Sequence, residues 1–135
     1  MSNTPINPDT LFKPMGFHQV VTSTGNTTIH VAGQGAFDTQ MKLQGKGDYK
    51  VQTQKALQNL SLALEAAGAT PQDIVSSHVF VKGLNPDVSA QVGQGMMTAL
   101  DGKPFPIHAT SLIGIDALVH PQMLVEISAV AIIKE

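Results

Sequence analysis

Residues 102–133, GKPFPIHATSLIGIDALVHPQMLVEISAVAII, decide how the rest of the chain is read. Two apolar runs flank a short loop, and each carries one group that needs explaining on a half-buried surface, His108 and Glu126. In residues 124–133 the side chains alternate, so Val125, Ile127, Ala129, Ala131 and Ile133 share one face and Leu124, Glu126, Ser128, Val130 and Ile132 the other. A carboxylate in the middle of such a strand is costly unless it is hydrogen-bonded or borders a wet cleft. The same counting over residues 107–113 puts His108 and Thr110 together, opposite Ile107, Ala109, Ser111 and Ile113. If the two strands bring His108 and Glu126 to one cleft, that cleft is the functional site.

Working outward, residues 86–100 read as a helix opened by Pro86 at its first turn, with Val88, Val92, Met96, Ala99 and Leu100 at helical spacing. Gly93 and Gly95 weaken it by roughly 1 kcal/mol each. Before it, residues 74–82 form a strand with Val75, Val79 and Val81 on one face. A longer helix over residues 49–67 starts at an Asp48 cap, carries Leu57, Leu60 and Leu64, and stops at Gly68. Helix followed by strand indicates a βαβ unit and a layer of helices on a sheet. Residues 18–23 and 27–32, joined by Thr24-Gly25-Asn26, read as a hairpin. Gly33 and Gly35 so near a strand end indicate a sharp turn or the close approach of another group to the backbone. Residues 1–14, broken by Pro5, Pro8 and Pro14, read as an extended lead-in.

The order β-β-α-β-α-β-β describes a single α+β domain over residues 1–135. The expected architecture is a two-layer sandwich with both helices on one face of a mixed sheet, as in chorismate-mutase-like folds. At 135 residues one core is the limit. Hydrophobic residues make up 42 % and charged residues 13 %, a lean charge content that favours an oligomer interface. A net charge of -2 leaves no basic footprint for nucleic acid. The absence of cysteine removes thiolate nucleophiles and Cys-based zinc sites. Histidines at 18, 30, 78, 108 and 120 lack metal-ligand spacing, so neither metal nor cofactor is expected. No GxSxG elbow accompanies the many serines. Without a signal-peptide pattern or an apolar run of spanning length, a cytoplasmic protein with no membrane partner is the expectation.

Eight short strings in order give the chain a wider likeness. They are Gly16-Phe17-His18-Gln19, Val31-Ala32-Gly33-Gln34, Ala66-Ala67-Gly68, Asp73-Ile74-Val75, Val79-Phe80-Val81-Lys82, Leu84-Asn85, Phe105-Pro106 and Val125-Glu126-Ile127. Together they resemble the Rid family, the reactive intermediate deaminases also called the YjgF family. The resemblance implies a homotrimer with a central barrel-like core and ligand clefts between subunits. It also implies hydrolysis of small imine or enamine metabolites, with a glutamate holding the attacking water, an arginine clamping the substrate carboxylate and a tyrosine lining the pocket. Carried over by position, the glutamate is Glu126, the arginine is replaced by His108 and the tyrosine by Phe17.

The chain contains no arginine at all. At roughly 1.5–3 kcal/mol per charge-assisted bond, losing a bidentate clamp costs about two to four powers of ten in affinity. Histidine offers one donor at a time and is mostly neutral at pH 7. The sequence therefore points to a deaminase-like hydrolase other than a standard 2-aminoacrylate deaminase. The alternative is a catalytically inert trimer that binds a small metabolite or protects other proteins. The expected site is Glu126 as catalytic carboxylate, with His108, Thr110, Phe17, Gly33 and Gln91 in contact with substrate.

Overall fold

A computed structural model describes residues 3–134; Met1, Ser2 and Glu135 lie outside the described residues. The long helix α1 (Tyr49–Ala66) forms where expected. The Asp48 carboxylate accepts from the Val51 N–H at 3.0 Å. At the other end Gly68, with φ +79°, lets its own N–H reach the Glu65 carbonyl and that of Ala69 reach Leu64, a Schellman stop. Leu57, Leu60 and Leu64 are buried, as the spacing requires.

The main sheet has four strands in the order β3-β6-β4-β5, from β3 (Thr27–Gln34), β4 (Ile74–Lys82), β5 (Ala109–Ile115) and β6 (Val125–Ile133). Strand β6 lies antiparallel between β3 and β4, while β4 and β5 are parallel and joined through α2 (Pro86–Met97). Parallel neighbours need such a crossover, which is what the helix-strand alternation indicated. Val79, Val81, Val125, Ile127, Ala129 and Ala131 meet Leu57, Leu60, Leu64, Val88 and Val92 in one core. The fold is thus the expected α+β sandwich with both helices on one sheet face.

Four local expectations are corrected. Asn3–Ile6 is a strand, β1, pairing antiparallel with β2 (Val20–Ser23), so the lead-in is not merely extended. Pro5 is accommodated because β1 is an edge strand, where a missing N–H need not break a ladder bond. Second, β2 and β3 do not form a hairpin: β3 pairs with β6, where Ile29 and Val31 pack against the helix-covered core, a burial that β2 cannot offer. Third, α2 stops at Met97, three residues early, as Thr98 turns its hydroxyl onto the Gln94 carbonyl at 2.7 Å. Fourth, β5 begins at Ala109, leaving His108 just ahead of the strand with its carbonyl bonded to the His18 N–H.

Candidate functional site

Strand β6 presents Glu126 away from the helices, directly across from Phe80 of β4. A bulge interrupts the β3–β6 ladder between Val31 and Gln34, and Gly33 falls within it. A Cβ built on Gly33 would land on the Glu126 carboxylate, so the close approach expected at this glycine is made by the glutamate. Glu126 is half-buried and its carboxylate has no hydrogen-bond partner among the described residues. It borders a cavity of about 770 Å³ shared with Gly33, Gln34, Gly35, Asp38, Lys55 and Asn59.

Two amides of α1 hold the frame of this cleft. The Asn59 side chain donates to the carbonyls of Gly35 and Phe37 at 2.8 and 2.9 Å, fixing the loop that follows β3. Gln52, fully buried, donates to Gly45 and Gln122 and accepts from the Leu124 N–H at 2.8 Å. It thereby sets the phase of β6 two residues before Glu126. The segment ahead of β6 supplies Val119 and Met123 to the rim, while His120 packs edge-on against Phe37 at 5.6 Å.

His108 does not join Glu126 within the chain. Its ring points to the helix side of the sheet, where Nδ1 donates to the Pro106 carbonyl at 3.1 Å and Nε2 accepts from the Ser77 hydroxyl at 2.7 Å. A carbonyl can only accept, so the proton sits on Nδ1 in the neutral ring. Ser77 is in turn 3.0 Å from the Thr110 hydroxyl. Thr110 thus shares the His108 face, as the alternation required. Within one chain the two do not share a cleft, because β4 and β6 bury alternate residues: Ser77 and Ile127 face the helices, Phe80 and Glu126 the opposite side.

Burial drives the His108 imidazole down to about 4, with the Pro106 carbonyl opposing and nearby His18 adding to the fall. The side chain is therefore neutral at pH 7, and an anion anchor that strengthens as pH falls through 6.5 is not available from it. A stability consequence follows. Between pH 6.5 and 4 the unfolded chain takes up a proton that the folded chain refuses, so stability falls as pH drops through that window. From pH 7.5 to 5 the loss comes to about 2 kcal/mol. Urea unfolding of the wild type and His108→Gln at both pH values checks this: the wild type loses about 2 kcal/mol more than the variant, and equal losses contradict it.

Of the other expected contacts, Gly33 lies at the Glu126 cleft. Phe17 packs edge-on with Phe12 at 6.2 Å and lines neither cavity, and Gln91 is exposed on α2 away from both. Gln52, Asn59, Ser77 and Lys55 were missed by sequence reasoning. A buried-polar signal was present for the first two, since Gln52, Ala56 and Asn59 follow one helical stripe, but polarity argued for exposure. Among the described residues no group of three His, Asp or Glu could hold a metal ion, and no helix is long and apolar enough to cross a membrane.

The chain is a two-layer α+β domain with the half-buried Glu126 carboxylate, unpaired among the described residues, in a bulge-sided cleft. The chain belongs to the Endoribonuclease L-PSP family, whose model matches residues 12–133, and so to the Rid/YjgF group of proteins. A structure of a Rid-family protein, YyfB from Yersinia pestis, is 36 % identical over 98 % of this chain and 100 % of that one, with a TM-score of 0.84. RutC family proteins of Pyrococcus abyssi and Sulfurisphaera tokodaii are 40 % and 37 % identical over 73 residues. That match covers 54 % of this chain and 57–58 % of theirs, so the chain spans little more than half the length of these relatives.

Proposed function

We infer that the chain is the subunit of a homotrimeric hydrolase acting on a small imine or enamine, with Glu126 holding the attacking water. The observation that carries this reading is the Glu126 carboxylate itself, half-buried against the Gly33 backbone and without a hydrogen-bond partner among the described residues. A carboxylate so placed is a general base in want of a water. Half-exposed Phe80, Val130 and Ile132 on the face away from the helices support self-association, which would close the cleft with a second copy. Small-metabolite chemistry fits the family, and no arginine is present to clamp a carboxylate. Lys55 is the cation lining the Glu126 cleft, so a substrate carboxylate would be held by a single flexible ammonium.

The neutral, internally bonded His108 favours a second reading, a trimer that binds a metabolite without turning it over. One experiment separates the two. Simple 2-imino acids and bulkier amino-muconate-like enamines are generated in situ and ammonia release is followed, with size-exclusion chromatography on the same sample. Accelerated release, with elution at three times the 14.2 kDa chain mass, is expected. Tight binding by calorimetry without release supports the second reading, and a monomer overturns both.

A further inference from the structure

The face of the sheet opposite Glu126 holds a second cavity, of about 540 Å³, between α1, α2 and the strands β4–β5. Native interiors close voids of this size unless they serve something, and small-molecule sites commonly have this volume. Its walls are apolar: Leu57, Leu60, Val79, Met96, Phe105 and Ile127. At its polar wall stand Ser77, His108 and Thr110, and the exposed Lys50 is the charged side chain of the lining. Met15, Gly16 and Ile107, all exposed, lie at its open side.

The polar group is a chain of bonds with a fixed direction. Pro106 O takes the proton of His108 Nδ1, and Nε2 takes that of Ser77. Thr110 then has two acceptors for its own proton inside the protein, Ser77 Oγ at 3.0 Å and the His108 carbonyl at 3.5 Å. Every hydroxyl hydrogen is used internally, so what remains for a ligand is lone pairs on Thr110 Oγ1 and Ser77 Oγ. This wall accepts a hydrogen bond and donates none, while the donors of the lining, Lys50 and Gln94, are exposed side chains.

We propose that this cavity between the helices and β4–β5 binds a small, flat, mainly apolar molecule whose one polar group is a hydrogen-bond donor, a phenol or an N–H heterocycle, read by Thr110 and Ser77. Within the chain it lies on the opposite face of the sheet from the Glu126 cleft. Met96 and Met97 in its wall suit a range of apolar shapes, because the thioether side chain repacks readily. The donor requirement sets the choice among molecules of one shape.

The test uses p-cresol, toluene and benzoate as near-isosteric probes in methyl-detected NMR titrations of the full chain. The expected result is p-cresol about 10-fold tighter than toluene, the size of one hydrogen bond, with benzoate weakest and shifts on Leu57, Leu60 and Met96 methyls rather than on the Gly33 amide. Thr110→Val keeps the β-branched shape for the strand and should erase the p-cresol preference while leaving toluene binding in place. Gly93 lines the cavity, and a Cβ there meets nothing within 4 Å. Gly93→Leu should therefore exclude all three. Equal binding of p-cresol and toluene, a preference for benzoate, a preference that survives Thr110→Val, or no binding of any probe would overturn the proposal.

Discussion

Gly95→Val is expected to destabilise the fold by about 3 kcal/mol, at the upper end of overpacking costs. In a domain of this size that lowers the melting temperature by about 10 °C. A Cβ at Gly95 would sit 2.7 Å from the Thr53 Cβ and 2.8 Å from the Lys50 carbonyl oxygen. Both are close to or part of the α1 backbone, so neither can swing aside as the tip of a long side chain could. Gly95 is therefore the point where α2 rests on α1, and any side chain there lifts one helix from the other. Two residues away the sign reverses. A Cβ at Gly93 touches nothing within 4 Å, and Gly93→Ala should gain up to about 1 kcal/mol from helix propensity alone. Denaturant unfolding of both variants gives the comparison. If Gly95→Val matched the wild type within 0.5 kcal/mol, the helix contact described above would be wrong.

The largest functional effect is expected from the Gly33–Glu126 contact. Glu126→Gln keeps the shape of the side chain and removes its basicity, and a loss of at least 100-fold in kcat follows from the usual weight of a positioned acid-base group. Gly33→Ala leaves the carboxylate chemically intact but drives a methyl group into it. It should displace Glu126 and lose at least 10-fold in kcat/KM, for a misplacement of about 1 Å is enough for that. Ammonia release under matched conditions measures both. A Glu126→Gln protein as active as the wild type would remove the carboxylate from the reaction. Full activity in Gly33→Ala would show that the bulge does not position it.

Much of the fold was legible because its cues are local. The Asp48 cap, the Leu57-Leu60-Leu64 stripe, Gly68 with its left-handed turn and the alternation of residues 125–133 each act within a few residues, and each formed as read. The close approach to Gly33 was also readable, as a glycine where a strand ought to carry a side chain. The partner of β3 was not. A turn signal at residues 24–26 suits a hairpin, but the choice of β6 rests on burying Ile29 and Val31 over a separation of about a hundred residues, which no local pattern encodes.

Most of the elements, the family and one candidate carboxylate could be read from the chain alone, because periodicity, caps and a charged residue inside an apolar strand are properties of short segments. Only the tertiary structure decided which sheet face each polar group reached. Strand pairing put Glu126 across from Phe80 in an open cleft, and sent His108 to the other side, where Ser77 and Pro106 take up both ring nitrogens and burial keeps it uncharged. The physical reason is that a side chain's proton affinity and its neighbours are set by what the sheet stacks above and below it, and that stacking is a property of the whole chain.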